Sequence, residues 1–183
     1  AKVGTGFASD RAPETKDVLR GGTMPALTVR EVRLPDDEPH LVRFIAGLNE
    51  FEAAIEPDRA VGDDIAVAWL GDLKKRNVER QGRMLIAERD GVPVGWAMGY
   101  VSTQDVIVKS DWRKYGYINE LYVEAEARRD GVGSALIASL EEYFRSLDLP
   151  YAMIGVLAAN HAARGAYERA GYRINSHDLR KML

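Results

Sequence analysis

Apolar and polar positions change period several times along the chain, and each change marks an element. Residues 27–34, LTVREVRL, predict a first strand. Leu41, Phe44, Ile45 and Leu48 then fall at helical spacing, with Asp36 and Asp37 placed to cap that helix. Asp63 and Asp64 open a second helix, in which Ile65, Trp69 and Leu73 stand four residues apart. Residues 84–101 read as two strands joined at Asp90-Gly91, a strong hairpin signal. A polar loop over 102–115 and a strand over 116–123 follow. Val132, Leu136, Leu140, Phe144 and Leu147 form the apolar stripe of a long helix that starts near Gly131. YAMIGVLA, 151–158, is a continuous apolar run that suits a strand covered on both faces. A last helix runs from about Asn160 to Ala170, with Gly171 as its C-terminal cap. The remaining residues are expected to be partly strand.

The resulting order is β-α-α-β-β-β-α-β-α-β, with no internal repeat. It predicts an α/β (α+β) fold: a single-domain mixed β-sheet with helices on both faces. Residues 1–26 are small, polar and aperiodic, and include Gly21-Gly22 and two prolines. They read as a flexible N-terminal arm or an expression remnant, with Met24 as a possible natural start. The domain proper is expected over 27–183.

Composition narrows the function. Of the 183 residues, 46% are apolar, enough for a substantial core, and the net charge is −3. A general nucleic-acid binder is usually basic, so none is expected as a partner. With no cysteine in the chain, thiolate nucleophiles and Cys-type zinc sites are impossible. His40, His161 and His177 form no ligand-spaced pair, so no metal is expected. No apolar run approaches the roughly 20 residues of a membrane span, and no secretory signal is visible. The expected location is the cytoplasm.

The chemistry points to RRDGVGS, residues 128–134, between a strand and a helix start. The first turn of a helix presents unpaired N–H groups and partial positive charge, which attract anions. Gly131 and Gly133 would let an anion approach the backbone, while Arg128, Arg129 and Ser134 add charge and a hydroxyl. Alternatively, the glycines serve only the turn and close helix–sheet packing. No Gly-Lys-Ser/Thr is present, and Leu136 occupies the place of the third glycine of a dinucleotide fingerprint.

Residues 116–172 widen the pattern. Val123 ends a strand, Arg128-Arg129-Asp130-Gly131-Val132-Gly133 leads into a long helix, Asn160 opens a later helix, and Tyr167 precedes Gly171-Tyr172. This combination resembles the GNAT superfamily of acyl-CoA-dependent N-acetyltransferases. Ala125, Arg129 and Asp130 depart from that pattern, and the Asp130 carboxylate is expected to face solvent, away from the phosphates.

The resemblance implies a GNAT-like fold with splayed central strands, acetyl-CoA as co-substrate and no metal. It implies that Arg128, Arg129, Asp130, Gly131, Val132, Gly133 and Ser134 surround the coenzyme pyrophosphate. The pantetheine arm would follow the strand of Leu121, Tyr122 and Val123, and Asn160 would contact the coenzyme as well as cap its helix. The acetyl group would pass directly to a small amine or a peptide amine. Glu120 is the candidate base and Tyr167 the candidate partner of the leaving sulfur. Against these roles, Glu120 could be a surface glutamate and Tyr167 a core residue. Tyr122 shares the face of Glu120, and either shapes the acceptor pocket or packs. His161 reads as a surface residue, and Asp105, Asp111 and Trp112 either line the acceptor site or are solvated. Family members often pair, so a homodimer is expected.

Overall fold

The computed structural model describes residues 26–182. The expected arm over 1–26 lies outside them except for Ala26. Five strands form one sheet in the order β1-β2-β3-β4-β5: Leu27–Glu31, Arg83–Arg89, Val92–Thr103, Lys114–Val123 and Ala152–Ile154. The first three pairings are antiparallel, and β4–β5 is parallel. The mixed single sheet expected from the pattern is therefore present. Asp90-Gly91 makes the β2–β3 turn, with φ of 50° and 79° at the two residues, as a tight hairpin requires.

Two apolar layers form because successive strand side chains point to opposite faces. On one face α1 (Glu38–Ala53) and α2 (Asp63–Glu79) bury Phe44, Ile45 and Leu70 against Ile86, Trp96 and Met98. On the other, α4 (Val132–Ser146) buries Leu136, Leu140 and Phe144 against Leu85, Ala97 and Ile118. The ring of Phe144 lies so close to β4 that a Cβ at Gly116 would meet it within van der Waals exclusion.

Several local expectations change. Asp37 sits at the N-cap of α1 but makes no side-chain cap. Its carboxylate instead accepts from Arg30 at 2.7 and 2.9 Å and from the Arg33 amide at 2.6 Å. Charge-assisted bonds outcompete the cap, and Arg30 holds the Asp37 carboxyl below its ordinary pKa. Gly62 caps α2, whose buried stripe is Ala66, Leu70 and Leu73, leaving Trp69 half-buried at the edge. The 102–115 loop contains a short helix, α3 (Ser110–Arg113), and β4 begins at Lys114.

The strand expected over 151–158 shrinks to Ala152–Ile154, and the tail holds no strand among the described residues. Beyond Ile118↔Ile154, β4 and β5 have no further ladder partners. The tail's polar side chains find ionic contacts instead: Arg180 pairs with Glu56 and Asp58 in the α1–α2 connection.

Candidate active site

The site begins where β4 and β5 part. Their ladder covers only Gly116–Ile118 and Ala152–Ile154, while β4 continues to Val123. Among the described residues, its edge over 119–123 therefore has no strand beside it. A β-bulge marks the same place: Met98 pairs with Glu120 and Gly99 with Ile118, leaving Asn119 unmatched in β3. Bulges re-aim side chains and increase twist.

A short 3-10 turn (Ala125–Ala127) leads from β4 to α4. Gly131 is the N-cap of α4, in the left-handed conformation at φ 82°, and no side chain caps the helix. A Cβ added at Gly131 would meet nothing within 4 Å, so the glycine serves the turn and leaves open space above it. The nearest neighbour of a Cβ at Gly133 would be Val123 Cγ2 at 3.8 Å. Val132 is buried, and Ser134 is exposed beside the open turn. The first-turn amides of α4 and the free edge of β4 are thus neighbouring, unfilled donor surfaces.

Their charged surroundings differ from a simple ring of arginines. Arg128 donates through Nε to the Val123 carbonyl at 2.9 Å. Its guanidinium lies 5.6 Å from the Phe51 ring centroid and 5.7 Å from that of Tyr122. Arg129 is exposed, with φ of 70°. Asp130 is half-exposed as expected, but its carboxylate is ion-paired with Arg89 at 2.7 Å. The Tyr122 ring packs beside α1, where Gly47 leaves room for its hydroxyl.

Glu120 is not a surface residue. It is 6% exposed, on the α1/α2 side of the sheet. Its Oε1 accepts from Trp69 Nε1 at 3.1 Å and from Asn119 Nδ2 at 2.7 Å. Tyr100 donates to Asn119 Oδ1 at 3.2 Å, which fixes the amide's orientation. One carboxylate oxygen is therefore anchored by two N–H donors. Burial pushes the Glu120 carboxyl up to about 7; the Trp69 bond opposes this, Glu52 adds to it, and Arg76 and Arg59 oppose it. Arg76 stacks over the Trp69 ring at 4.7 Å.

Tyr167 comes from α5 (His161–Arg169). Its ring packs against the α4 layer and meets Tyr172 edge-on at 6.4 Å. Burial, with a contribution from Glu52, pushes its phenol up to about 12. Glu52, near the end of α1, contributes to raising the pKa of both Tyr167 and Glu120. Asn160 caps α5, its Oδ1 accepting from the Ala163 amide at 3.1 Å. That bond leaves the amide nitrogen as a further donor. His161, Asp105, Asp111 and Trp112 are exposed.

The structure thus gathers Glu120, Leu121, Tyr122, Val123 and residues 128–134 around one strand and one helix start. It also adds residues that the sequence did not single out for the site: Trp69, Asn119, Tyr100, Glu52 and Arg89. Among the described residues no group of three or more His, Asp or Glu could hold a metal ion. No helix among them is long and apolar enough to cross a membrane.

Comparison with known proteins bears on the family and the fold. The chain is 36% identical over 89 residues to an uncharacterised N-acetyltransferase of Methanocaldococcus jannaschii, covering 48% of this chain and 51% of that one. The match thus spans about half the length of that relative. A transcriptional regulator from Bacillus halodurans superposes with a TM-score of 0.67 at 16% identity, over 86% of this chain and 100% of that one. Glucosamine-6-phosphate N-acetyltransferase from Arabidopsis thaliana gives 0.61 at 13% identity, over 86% and 98%. At such identities the solved structures speak to the fold alone. Residues 40–172 match the Acetyltransferase (GNAT) family, and with that match across most of its length the chain belongs to this family.

Proposed function

We propose that this protein transfers the acetyl group of acetyl-CoA to a primary amine by direct attack within a ternary complex. The observation that carries this reading is the buried carboxylate of Glu120 on β4, where that strand's edge becomes free beside an uncapped helix start. The residues present fit the coenzyme. The open space above Gly131 and the uncapped first turn of α4 suit a diphosphate. The edge over 119–123, which has no ladder partner in β5, offers backbone groups other than the Val123 carbonyl, already held by Arg128, to the amide-bearing arm.

Each role follows from what the reaction lacks. An alkylammonium has a pKa of about 10.4 in water, so the acceptor must lose a proton to attack. Glu120, anchored through Oε1, takes that proton directly or through one water and passes it to solvent. A backbone N–H on the free edge of β4 holds the carbonyl oxygen as it gains charge. The new N–C bond forms and the nitrogen gives up its second proton to water; the oxyanion collapses, the C–S bond breaks, and the sulfur leaves as a thiolate that takes a hydrogen bond from the Tyr167 hydroxyl before water protonates it.

Calorimetry with CoA and acetyl-CoA, followed by thiol release across an amine panel, tests the reading. Saturable binding and amine-dependent release of thiol are expected. Absence of heat with both coenzyme forms would refute it. Binding without release for any amine would leave only a CoA-binding module of the same fold.

The pH profile gives a sharper check. Because Glu120 must be ionised, kcat/KM should rise with pH through about 7. Trp69→Phe keeps an aromatic, though smaller, side chain but removes the N–H that favours the charged form. Its rising limb should move upward by about one pH unit. A limb that stays in place would assign the ionisation to another group.

A further inference from the structure

We propose that Arg89, at the end of β2, is a positioning residue that keeps the diphosphate site of α4 vacant by drawing off the chain's own competing carboxylate, Asp130. The inference rests on the proposed coenzyme site and adds a residue from a distant strand to it.

The physical problem is local. Asp130 immediately precedes Gly131, the N-cap of α4. Short carboxylates near a helix N-terminus accept from first-turn amides and are favoured by the helix dipole. Left to itself, Asp130 would tend to fill the donors that the diphosphate needs, and it would repel the phosphates as well. In the structure it does not fill them, since α4 carries no side-chain cap. Its Oδ2 instead accepts from Arg89 Nη1 at 2.7 Å, across 41 residues of sequence.

Arg89 is well placed to hold it. Its side chain is 24% exposed against 50% for Asp130, so the arginine is the fixed partner and the aspartate the captured one. The Arg89 Nε is buried with no partner, and the guanidinium reaches Asp130 through Nη1. Capture also cancels the one negative charge in the 128–134 segment, leaving Arg128 and Arg129 without an opposing acid there.

The test is a double-mutant cycle on the full chain, read by calorimetry with CoA. Arg89→Gln releases Asp130 onto the first turn and should weaken CoA binding about tenfold. Asp130→Ala removes the competitor and should bind CoA as tightly as the wild type or more tightly. In the Asp130→Ala background, Arg89→Gln should have little further effect. Melting of the coenzyme-free protein should stay within a few degrees throughout. With a truncated acetyl thioester of N-acetylcysteamine, which lacks the diphosphate, KM should not respond to Arg89→Gln.

Equal weakening by Arg89→Gln in both backgrounds, an unchanged Kd in the single variant, or weaker binding by Asp130→Ala would each overturn the proposal. A raised KM for the truncated thioester in Arg89→Gln would likewise reduce Arg89 to a structural role. Absence of CoA binding by the wild type would instead bring down the coenzyme reading, and this inference with it.

Discussion

Glu120→Gln is expected to lower kcat by about 10²-fold or more while raising the melting temperature above neutral pH. The two effects share one cause. In the folded protein the Glu120 carboxyl is pushed by burial from 4.5 up to about 7. Between those values the native state binds a proton that the unfolded chain has released. Stability therefore falls as pH rises from about 4.5 to about 7 and stays lower above, by about 3 kcal/mol. Glutamine has the same shape, and its carbonyl oxygen can accept from both Trp69 and Asn119. It cannot take a proton from the acceptor amine, and it carries no buried charge. At pH 8 the variant should melt several degrees higher than the wild type, and near pH 4.5 the two should converge. Thermal unfolding across pH, with initial rates at pH 8, gives both readouts. A variant that loses stability at pH 8, or keeps its full rate, removes Glu120 from the mechanism.

Tyr167→Phe should cost about 10²-fold in kcat with an unchanged melting temperature. The magnitudes decide which role the phenol can play. Its pKa is pushed up to about 12, while an ordinary thiol lies near 8.5. Full proton transfer to the leaving sulfur would be uphill by several pKa units, so the hydroxyl works as a hydrogen-bond donor to growing negative charge. The loss should therefore shrink when the acetyl donor carries an acidic aryl thiol, whose anion needs little help. A merely structural tyrosine would give the same loss with both donors. Phenylalanine keeps the ring against Tyr172 and the α4 layer, so folding provides no escape from the test.

Much of the fold was legible because its signals are local. Asp90-Gly91 announced the hairpin, the four-residue spacing of Leu136, Leu140 and Phe144 announced α4, and Asn160 announced the start of α5. The turn proposed for the diphosphate was equally local, since Gly131 combines an αL backbone with an uncapped helix. What escaped depends on pairing across long stretches of sequence. Asp37 reads as a cap until Arg30 is brought beside it. Trp69 reads as part of an apolar stripe, yet the phase of α2 turns its N–H toward β4. The short β5 was hidden because an apolar run does not reveal where its neighbour diverges. Arg89 and Asp130 lie on elements whose proximity no residue spacing encodes.

The unmatched residue in β4 has one more consequence, a matter of parity. In a regular strand, consecutive side chains take opposite sides, so an amide and a carboxylate next to each other in sequence never meet. Asn119 occupies an extra place in the count, which lets it and Glu120 emerge on the same side and bond at 2.7 Å. The same surplus residue inverts the even–odd rhythm beyond it, so that Leu121 and Val123 join Ile118 in the α4 layer and Tyr122 joins Tyr117 in the other. An odd insertion thus buries an acid among tryptophan and tyrosine on one side without exposing a single aliphatic side chain on the other.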